Sequence, residues 1–482
     1  MTLNKPNLIY ILADQLRYRS CGYTGDEKAL TPNIDAFARD SIDLCNAVSG
    51  HPVCAPYRAS LFTGKYTTST GMVINEIRMN PNHRCFAHVM NDGGYETGFI
   101  GKWHLYADEW GNHLDAKNSF VPPGEHRLGF DGFFAAYGFH HEYYGDSAYY
   151  HLDSPEKIFA DKYEPDFQTD LAIRKMNEFA SSDKPFALFL SLGTPHDPWD
   201  QSNVPPEYLE KFKDTNFSLP ENYLPHNDPH ADAWAQLSEK ERDELTEWMR
   251  IYYAMTANLD DNVGRLMSTI KELGLDKNSI IIFTSDHGEL FGAHGRRAKN
   301  IFYEEAVRVP FLMKIPGCEP RSCDACFNTV DIMPTLLSLM GLHAPREAEG
   351  FDISRLLLTG DGPEPEGALM MCCGKTADFG DGNEWRAIRT KHYTYGIFRA
   401  DGEEHLYDNV EDPYQQNNLA GQPEYQMIRH GLLALMRSRM KKINDTFPSN
   451  TYYKENWIRN RHILKTATLN SEIDIEDIPD NL

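Results

Sequence analysis

Cys54 and Arg58 stand four residues apart around Pro56, in the run His51-Pro52-Val53-Cys54-Ala55-Pro56-Tyr57-Arg58. Proline suits the first turn of a helix, where its missing N–H is not needed, so a helix is expected to begin just after Cys54. The sulfur then lies at the positive end of that helix, and the guanidinium, one turn on, can reach back over it and fix whatever group replaces or surrounds the thiol. Such a pair can build a nucleophile station. A small buried cysteine beside a surface arginine fits the same stretch.

Other residues with chemistry to offer stand at the ends of apolar runs. Asn7-Leu8-Ile9-Tyr10-Ile11-Leu12-Ala13 stops at Asp14-Gln15, and Ser279-Ile280-Ile281-Ile282-Phe283-Thr284-Ser285 stops at Asp286-His287. Each run reads as a parallel strand buried on both faces. Ligands bind at the carboxyl edge of such sheets, so the two tips belong naturally to one site, although a single Asp after a strand is more often a turn or a cap. Gly101-Lys102-Trp103-His104 ends a shorter strand; if its geometry persists, Lys102 and His104 point to the same side and suit an anion, with a solvated strand end as the alternative. His196 follows the strand Lys184 to Leu192, where it is either structural or a general acid. Lys299 lies thirteen residues beyond Asp286, within reach of a loop that folds back over that tip.

The elements that must position these residues are strands alternating with helices. A first covering helix is expected from Thr31-Pro32, with Thr31 as its cap. A long amphipathic helix follows from Leu245, Trp248, Tyr252, Met255, Leu259, Val263, Leu266, Ile270 and Leu273, stopped by Gly274. Another spans Asp331 to Gly341. Between about 110 and 163 the chain is irregular and rich in Gly, Pro, Tyr and His, and reads as loops walling a pocket. His140-His141 there is a poor metal pair, because adjacent residues seldom ligate together. Gly360-Asp361-Gly362-Pro363-Glu364-Pro365 reads as a boundary, giving an α/β domain over 1–360 and a C-terminal subdomain over 361–482. The latter is expected to hold short antiparallel strands, a helix from about Pro423 to Ile443, and a tail with an acidic end at Glu472 to Asp480.

A chain of 482 residues with formal net charge −24 has no basic face for nucleic acid, so no nucleic-acid partner is expected. Any cation at an anion site therefore has to be supplied locally. Neither a membrane span nor a secretory segment is visible, and the nine cysteines follow no disulfide framework. A cytoplasmic location is the expectation. The oligomeric state is not encoded in any visible pattern.

Taken together, Cys54-Ala55-Pro56-Tyr57-Arg58, Gly101-Lys102-Trp103-His104, the Asp14-Gln15 and Asp286-His287 tips, Pro195-His196, and Lys299 in Lys-x-x-x-Tyr-Glu-x-x-x-Arg-x-Pro resemble the type I sulfatases of the alkaline-phosphatase superfamily. The resemblance runs from residue 7 to about 340. It implies a large mixed, mostly parallel sheet sandwiched by helices, with a smaller C-terminal antiparallel sheet. It also implies hydrolysis of a sulfate monoester, on a sulfated carbohydrate or a small aryl or alkyl sulfate. In that family the motif cysteine is oxidised to formylglycine by a maturation enzyme, and its hydrate attacks sulfur beside one divalent cation.

Carried onto this chain, Cys54 is the nucleophile precursor and Arg58 orients it. Asp14, Gln15, Asp286 and His287, with Cys54, hold the cation, calcium first, with Mn2+ or Mg2+ as alternatives. Lys102 and Lys299 clamp sulfate oxygens, His196 protonates the leaving oxygen, and His104 helps to regenerate the aldehyde. Asn75 is a further sulfate or substrate contact. Gln15 and His287, where many members carry Asp and Asn, also resemble the phosphonate monoester and phosphodiester hydrolases, which form the alternative reading. A non-catalytic carbohydrate-binding relative is the third.

Overall fold

The computed structural model describes residues 5–107, 119–138, 140, 142–145, 148–223 and 235–469. Eight strands form one sheet: Asn7–Ala13 (β1), Ile42–Leu44 (β2), Glu96–Lys102 (β3), Phe133–Tyr137 (β4), Phe186–Ser191 (β5), Ser279–Ser285 (β6), Phe311–Lys314 (β7) and Arg321–Cys323 (β8). Their spatial order is β8-β2-β7-β6-β1-β5-β3-β4. The run from β6 through β1, β5 and β3 to β4 is parallel throughout. β7 is antiparallel to both of its neighbours, and β8 is parallel to β2. The sheet is thus mixed and mostly parallel.

The continuous apolar runs have a direct structural cause. Along β1, Leu8, Tyr10 and Leu12 enter one hydrophobic cluster while Ile9, Ile11 and Ala13 enter another. Both faces are covered, so neither can be polar. Helices Cys54–Thr63 (α2) and Thr329–Leu339 (α5) contribute Tyr57, Leu61, Ile332 and Leu336 to the first cluster. Helices Pro32–Arg39 (α1), Glu164–Ala180 (α3) and the 34-residue Glu239–Glu272 (α4) cover the other face. On α4 the buried stripe includes Leu245, Tyr252, Met255, Leu259, Val263, Leu266 and Ile270, at the helical spacing expected. Among the described residues no helix is long and apolar enough to cross a membrane.

Register brings the strand ends level. Ala13 pairs with Ser285, Leu12 with Ser191, and Gly101 with Ser191. The residues that follow β1, β3, β5 and β6 therefore emerge together at one edge. Gly101 makes the β3 end possible, since at its φ of 103° a Cβ would sit 2.0 Å from the Ser191 carbonyl oxygen.

The smaller sheet is antiparallel, in the order Ala368–Cys372 (β9), Trp385–Arg389 (β10), Tyr393–Phe398 (β11) and Glu404–Asp408 (β12), and helix Gln426–Lys442 (α6) accompanies it. Arg389 of β10 grips both carboxylate oxygens of Glu304 at 2.7 and 2.9 Å, tying this sheet to the helical turn Glu304–Val307 ahead of β7.

Four expectations need correction. The 110–163 stretch is not all loop: it holds β4, the edge strand of the main sheet, and a pair of two-residue strands, Tyr149–Tyr150 and Ile158–Phe159. Trp110 and His141 lie outside the described residues. Thr31 precedes α1 but does not cap it; Asp260 of α4 accepts from the Asn33 and Ile34 amides instead, at 3.2 and 2.7 Å. The antiparallel sheet has one strand more than expected, β9, beside Trp385–Arg389. Beyond Asn444 the chain forms helix Asn450–Trp457 (α7) and a short pair, Ile458–Arg459 with His462–Ile463. This segment folds back on the region after α2, with Arg78 N–H donating to Arg461 O at 2.9 Å. The acidic end from Glu472 to Asp480 lies outside the described residues.

Candidate active site

Cys54 is the first residue of α2, buried at the helix N-terminus, so the helix begins at the cysteine itself. Its sulfur faces the level strand ends. His287 Nε2 lies 3.2 Å from Cys54 Sγ, Lys299 Nζ 3.6 Å, Lys102 Nζ 3.9 Å and Asp14 Oδ1 3.9 Å. Arg58, one turn along α2, turns toward the carboxylates. Its guanidinium donates to Asp14 at 3.2 Å, Asp286 at 3.5 Å, Ser191 Oγ at 2.7 Å and the Lys102 carbonyl at 2.5 Å. Lys102 reaches Asp14 Oδ2 at 2.6 Å.

The second lysine comes from the loop after β6, as its spacing from Asp286 suggested. Lys299 Nζ donates to Gln15 Oε1 at 2.6 Å and lies 3.0 Å from His196 Nε2. The Gln15 amide is oriented by a buried carboxylate: its Nε2 donates to Glu289 at 2.8 Å, which leaves Oε1 facing the lysine. Gln15 has a positive φ of 67°, and its N–H donates to Asp286 Oδ1 at 3.0 Å. His196 Nδ1 lies 2.9 Å from the Asp197 carbonyl oxygen, so Nδ1 carries the proton and Nε2 presents a lone pair toward Lys299.

Charge in this buried group is balanced internally. Burial alone would raise the Asp14 pKa, but Lys102, His196, Arg58 and His287 outweigh it and hold the carboxyl well below its ordinary range. Burial pushes the Cys54 thiol up, reinforced by Asp14, against the pull of Lys102 and Lys299. An unmodified thiol here stays protonated and is a poor nucleophile. Burial brings His287 down to about 4, so its imidazole is neutral at pH 7. Its Nδ1 donates to the Gly288 carbonyl at 3.1 Å, and the lone pair is therefore on Nε2, toward the cysteine.

These features fit a cation. Asp14, Cys54, Asp286 and His287 each offer a donor atom, all within 4.8 Å of one another and all buried. Two carboxylates and one neutral imidazole beside an amide oxygen make a predominantly oxygen donor set, suited to a hard divalent metal.

The structure brings Asp14, Gln15, Cys54, Arg58, Lys102, His196, Asp286, His287 and Lys299 into one contact network. Asn75 enters through the helix: its Oδ1 accepts from the Ala55 N–H at 3.0 Å, next to Cys54. His104 is buried two residues past Lys102, but the expected alternation is broken, because β3 ends at Lys102 and His104 takes a left-handed φ of 59°. Sequence reasoning missed three supporting residues. Ser191 receives Arg58, and Glu289 aims Gln15. Tyr252 of α4 donates to Gln15 O at 2.8 Å and accepts from Arg17 N–H at 2.9 Å. Glu289 follows the Asp286-His287 tip by two residues, and that proximity was the available signal.

A buried cation-ready carboxylate cluster, two lysines and an imidazole, all turned on one helix-N-terminal side chain at the carboxyl edge of a mixed sheet, define a hydrolase of tetrahedral oxyanion esters. Comparison with known proteins gives the family. The sulfatase family model matches residues 6–342, and a model described as N-sulphoglucosamine sulphohydrolase, C-terminal, matches 292–443. The chain belongs to the sulfatase family. It is 36% identical over 454 residues to an ulvan-active sulfatase of Formosa agariphila, covering 93% of this chain and 84% of that one. An N-acetylglucosamine-6-O-sulfatase of Bacteroides thetaiotaomicron is 26% identical, covering 92% and 88%. The solved yidJ structure from Bacteroides fragilis superposes with a TM-score of 0.80 at 30% identity, covering 93% of this chain and 98% of that one.

Proposed function

We propose that this sulfatase hydrolyses a sulfate monoester on a carbohydrate, with Cys54 converted to formylglycine by a maturation enzyme and a calcium ion held by Asp14, Gln15, Asp286 and His287. The observation that carries the reading is the convergence of Lys102 and Lys299 on Cys54 Sγ, which stands where an oxygen of the aldehyde hydrate belongs. The hydrate supplies a hydroxyl to attack sulfur and a second hydroxyl to release the sulfate afterwards. When bound by these residues, the cation would supply positive charge to oppose that of the sulfate ester.

The residues of the chain do the rest. Lys102 and Lys299 bind the non-bridging sulfate oxygens and oppose their charge in a site closed to water, where each contact is strengthened. Lys299 Nζ also lies 3.0 Å from the His196 Nε2 lone pair, so Nε2 first takes up a proton, with the Lys299 ammonium as the adjacent source, and then passes it to the leaving alcohol. Arg58 offsets the charge of Asp14 and Asp286 and, with Lys102, helps to hold the Asp14 carboxyl in its ionised form. Glu289 keeps the Gln15 oxygen turned inward. His104 assists return to the aldehyde, and Asn75 fixes the helix start that presents residue 54. Two named relatives, one ulvan-active and one acting at the 6-O position of N-acetylglucosamine, support a carbohydrate as the alcohol.

The test is a parallel rate measurement on a panel of sulfated saccharides, nitrophenyl sulfate and phenylphosphonate monoesters. Sulfate release from at least one saccharide, well above any phosphonate turnover, is expected. Phosphonate turnover with negligible sulfate release across the panel would overturn the proposal.

A further inference from the structure

A cleft of about 670 Å³ opens between the β9–β10 connection and the folded-back C-terminal segment. Among the described residues its charged lining is Lys375, Lys454, Arg459 and Arg461 against one acid, Asp378. The chain as a whole carries 47 lysines and arginines against 71 acids, so a four-to-one cationic cleft runs opposite to the composition. Background charge does not produce such a concentration, and it creates a local positive field within a repelling molecule. Phe379 adds an apolar ring to the same wall, with Lys454 Nζ 5.8 Å from its centroid.

Hydrogen bonds link the Lys375 segment of the cleft to the site at two points. Thr376 O accepts from the Asn75 N–H at 2.8 Å, and the Asn75 side chain holds the Ala55 amide next to Cys54. Gly374 O accepts from Asn300 Nδ2 at 2.8 Å, and Asn300 follows Lys299. Lys375 therefore sits between two residues that are bonded to segments of the active site. Burial pushes the Glu76 carboxyl up to about 7 against the pull of Arg461 in the cleft and Lys102 in the site, so one side chain lies within electrostatic reach of both.

We infer that this cleft is a subsite for a second anionic group on a neighbouring sugar, so that the preferred substrate is a polyanionic oligosaccharide rather than an isolated sulfated monosaccharide. The inference rests on the sulfatase reading and names the substrate class of the same site. Lys375, Lys454 and Arg459 are exposed side chains that attract a carboxylate or a further sulfate, and the Phe379 ring offers a face to the sugar between them. The shared chemistry is a second anion carried elsewhere on the same oligosaccharide.

The experiment compares the full chain with a Lys375→Ala/Lys454→Ala/Arg459→Ala variant. Substrates are sulfated tetrasaccharides bearing uronic acids, their carboxyl-reduced forms, their forms with a single sulfate, and N-acetylglucosamine 6-sulfate. Three exposed contacts together are worth about tenfold, so the variant is expected to raise KM for the anionic tetrasaccharides about tenfold. Its kcat, and its rate on the monosaccharide, should stay unchanged. The carboxyl-reduced and single-sulfate arms show which anion the cleft takes. An equal change on the monosaccharide, or no change on any tetrasaccharide, overturns the subsite.

Calorimetric titration of the same tetrasaccharides into Cys54→Ala protein separates this result from the sulfatase reading. Salt-sensitive binding that the triple substitution weakens supports the cleft even if no ester is cleaved. Binding that ignores both salt and the substitutions overturns it, whatever the turnover.

Discussion

Arg58→Met is the substitution whose consequences follow most directly from the geometry. It keeps an unbranched side chain in α2 while removing the charge that lies 3.2 Å from Asp14 and 3.5 Å from Asp286. At an effective dielectric constant of about 20, each contact is a gross attraction of about 5 kcal/mol, offset by the cost of burying the ions. Asp14 keeps Lys102 at 2.6 Å, whereas Asp286 is left with the neutral His287 at 3.6 Å and with the Gln15 and His287 amides at 3.0 Å. Breaking a buried pair from one side costs about 3–5 kcal/mol, so the metal-free variant should unfold at a clearly lower urea concentration. Loss of a positive charge beside the carboxylates also favours a cation in its place, and calcium affinity should rise about tenfold or more. Saturating calcium should therefore recover much of the lost stability. Urea unfolding in chelator and in calcium, with calorimetric calcium titration, measures all three quantities. An unchanged urea midpoint together with unchanged or weaker calcium binding would refute the assignment of Arg58 as counter-ion to this pair.

Two other substitutions test separate parts of the account. His196→Ala should lower kcat on saccharide sulfates by about 10²–10⁴ while barely affecting a nitrophenyl ester, whose leaving group needs no proton; equal losses on both would remove His196 as the acid. Asp331, at the start of α5, has its carboxyl pushed by burial from 3.8 to about 7. The folded state therefore keeps a proton that the unfolded chain has already lost, and the cost of ionisation is absent below about 3.8, grows with pH and is complete above about 7. Between pH 5 and 8 this group should cost the protein roughly 3 kcal/mol, and Asp331→Asn should flatten that part of the stability profile. Urea midpoints at the two pH values check this, and parallel profiles for the two proteins would contradict it.

Much of the site was legible because its residues stand at abrupt changes of character. Asp14 and Asp286 end apolar runs, and parallel strands buried on both faces leave no other reading for those runs. Pro56 located the start of α2, and the spacing from Asp286 to Lys299 allowed the loop to return. What stayed hidden depends on contacts distant in sequence. Ser191 and Tyr252 come to the site from β5 and α4, and Glu289 is marked only by its neighbours. Strand β4 was masked by the Gly- and Tyr-rich segments around it, although Phe133-Phe134-Ala135-Ala136-Tyr137 is apolar throughout. His104 departs from strand alternation because of its left-handed backbone, which no side-chain pattern announces. The C-terminal segment looked unstructured because its anchors are scattered along it and their partners are distant in sequence: Tyr453, Trp457 and Ile463 enter the first hydrophobic cluster singly, Asp445 pairs with Arg386, and backbone bonds join Arg461 to Arg78 and Ala467 to Thr68.

The central claim is that residue 54 acts as an aldehyde hydrate rather than as a thiol. Peptide mass spectrometry on catalytically active protein from its native host tests it most directly. The account predicts that the peptide containing residue 54 carries formylglycine, with a mass lowered by exchange of the thiol for an aldehyde. Fully active protein in which that peptide holds an intact, alkylatable cysteine would contradict it.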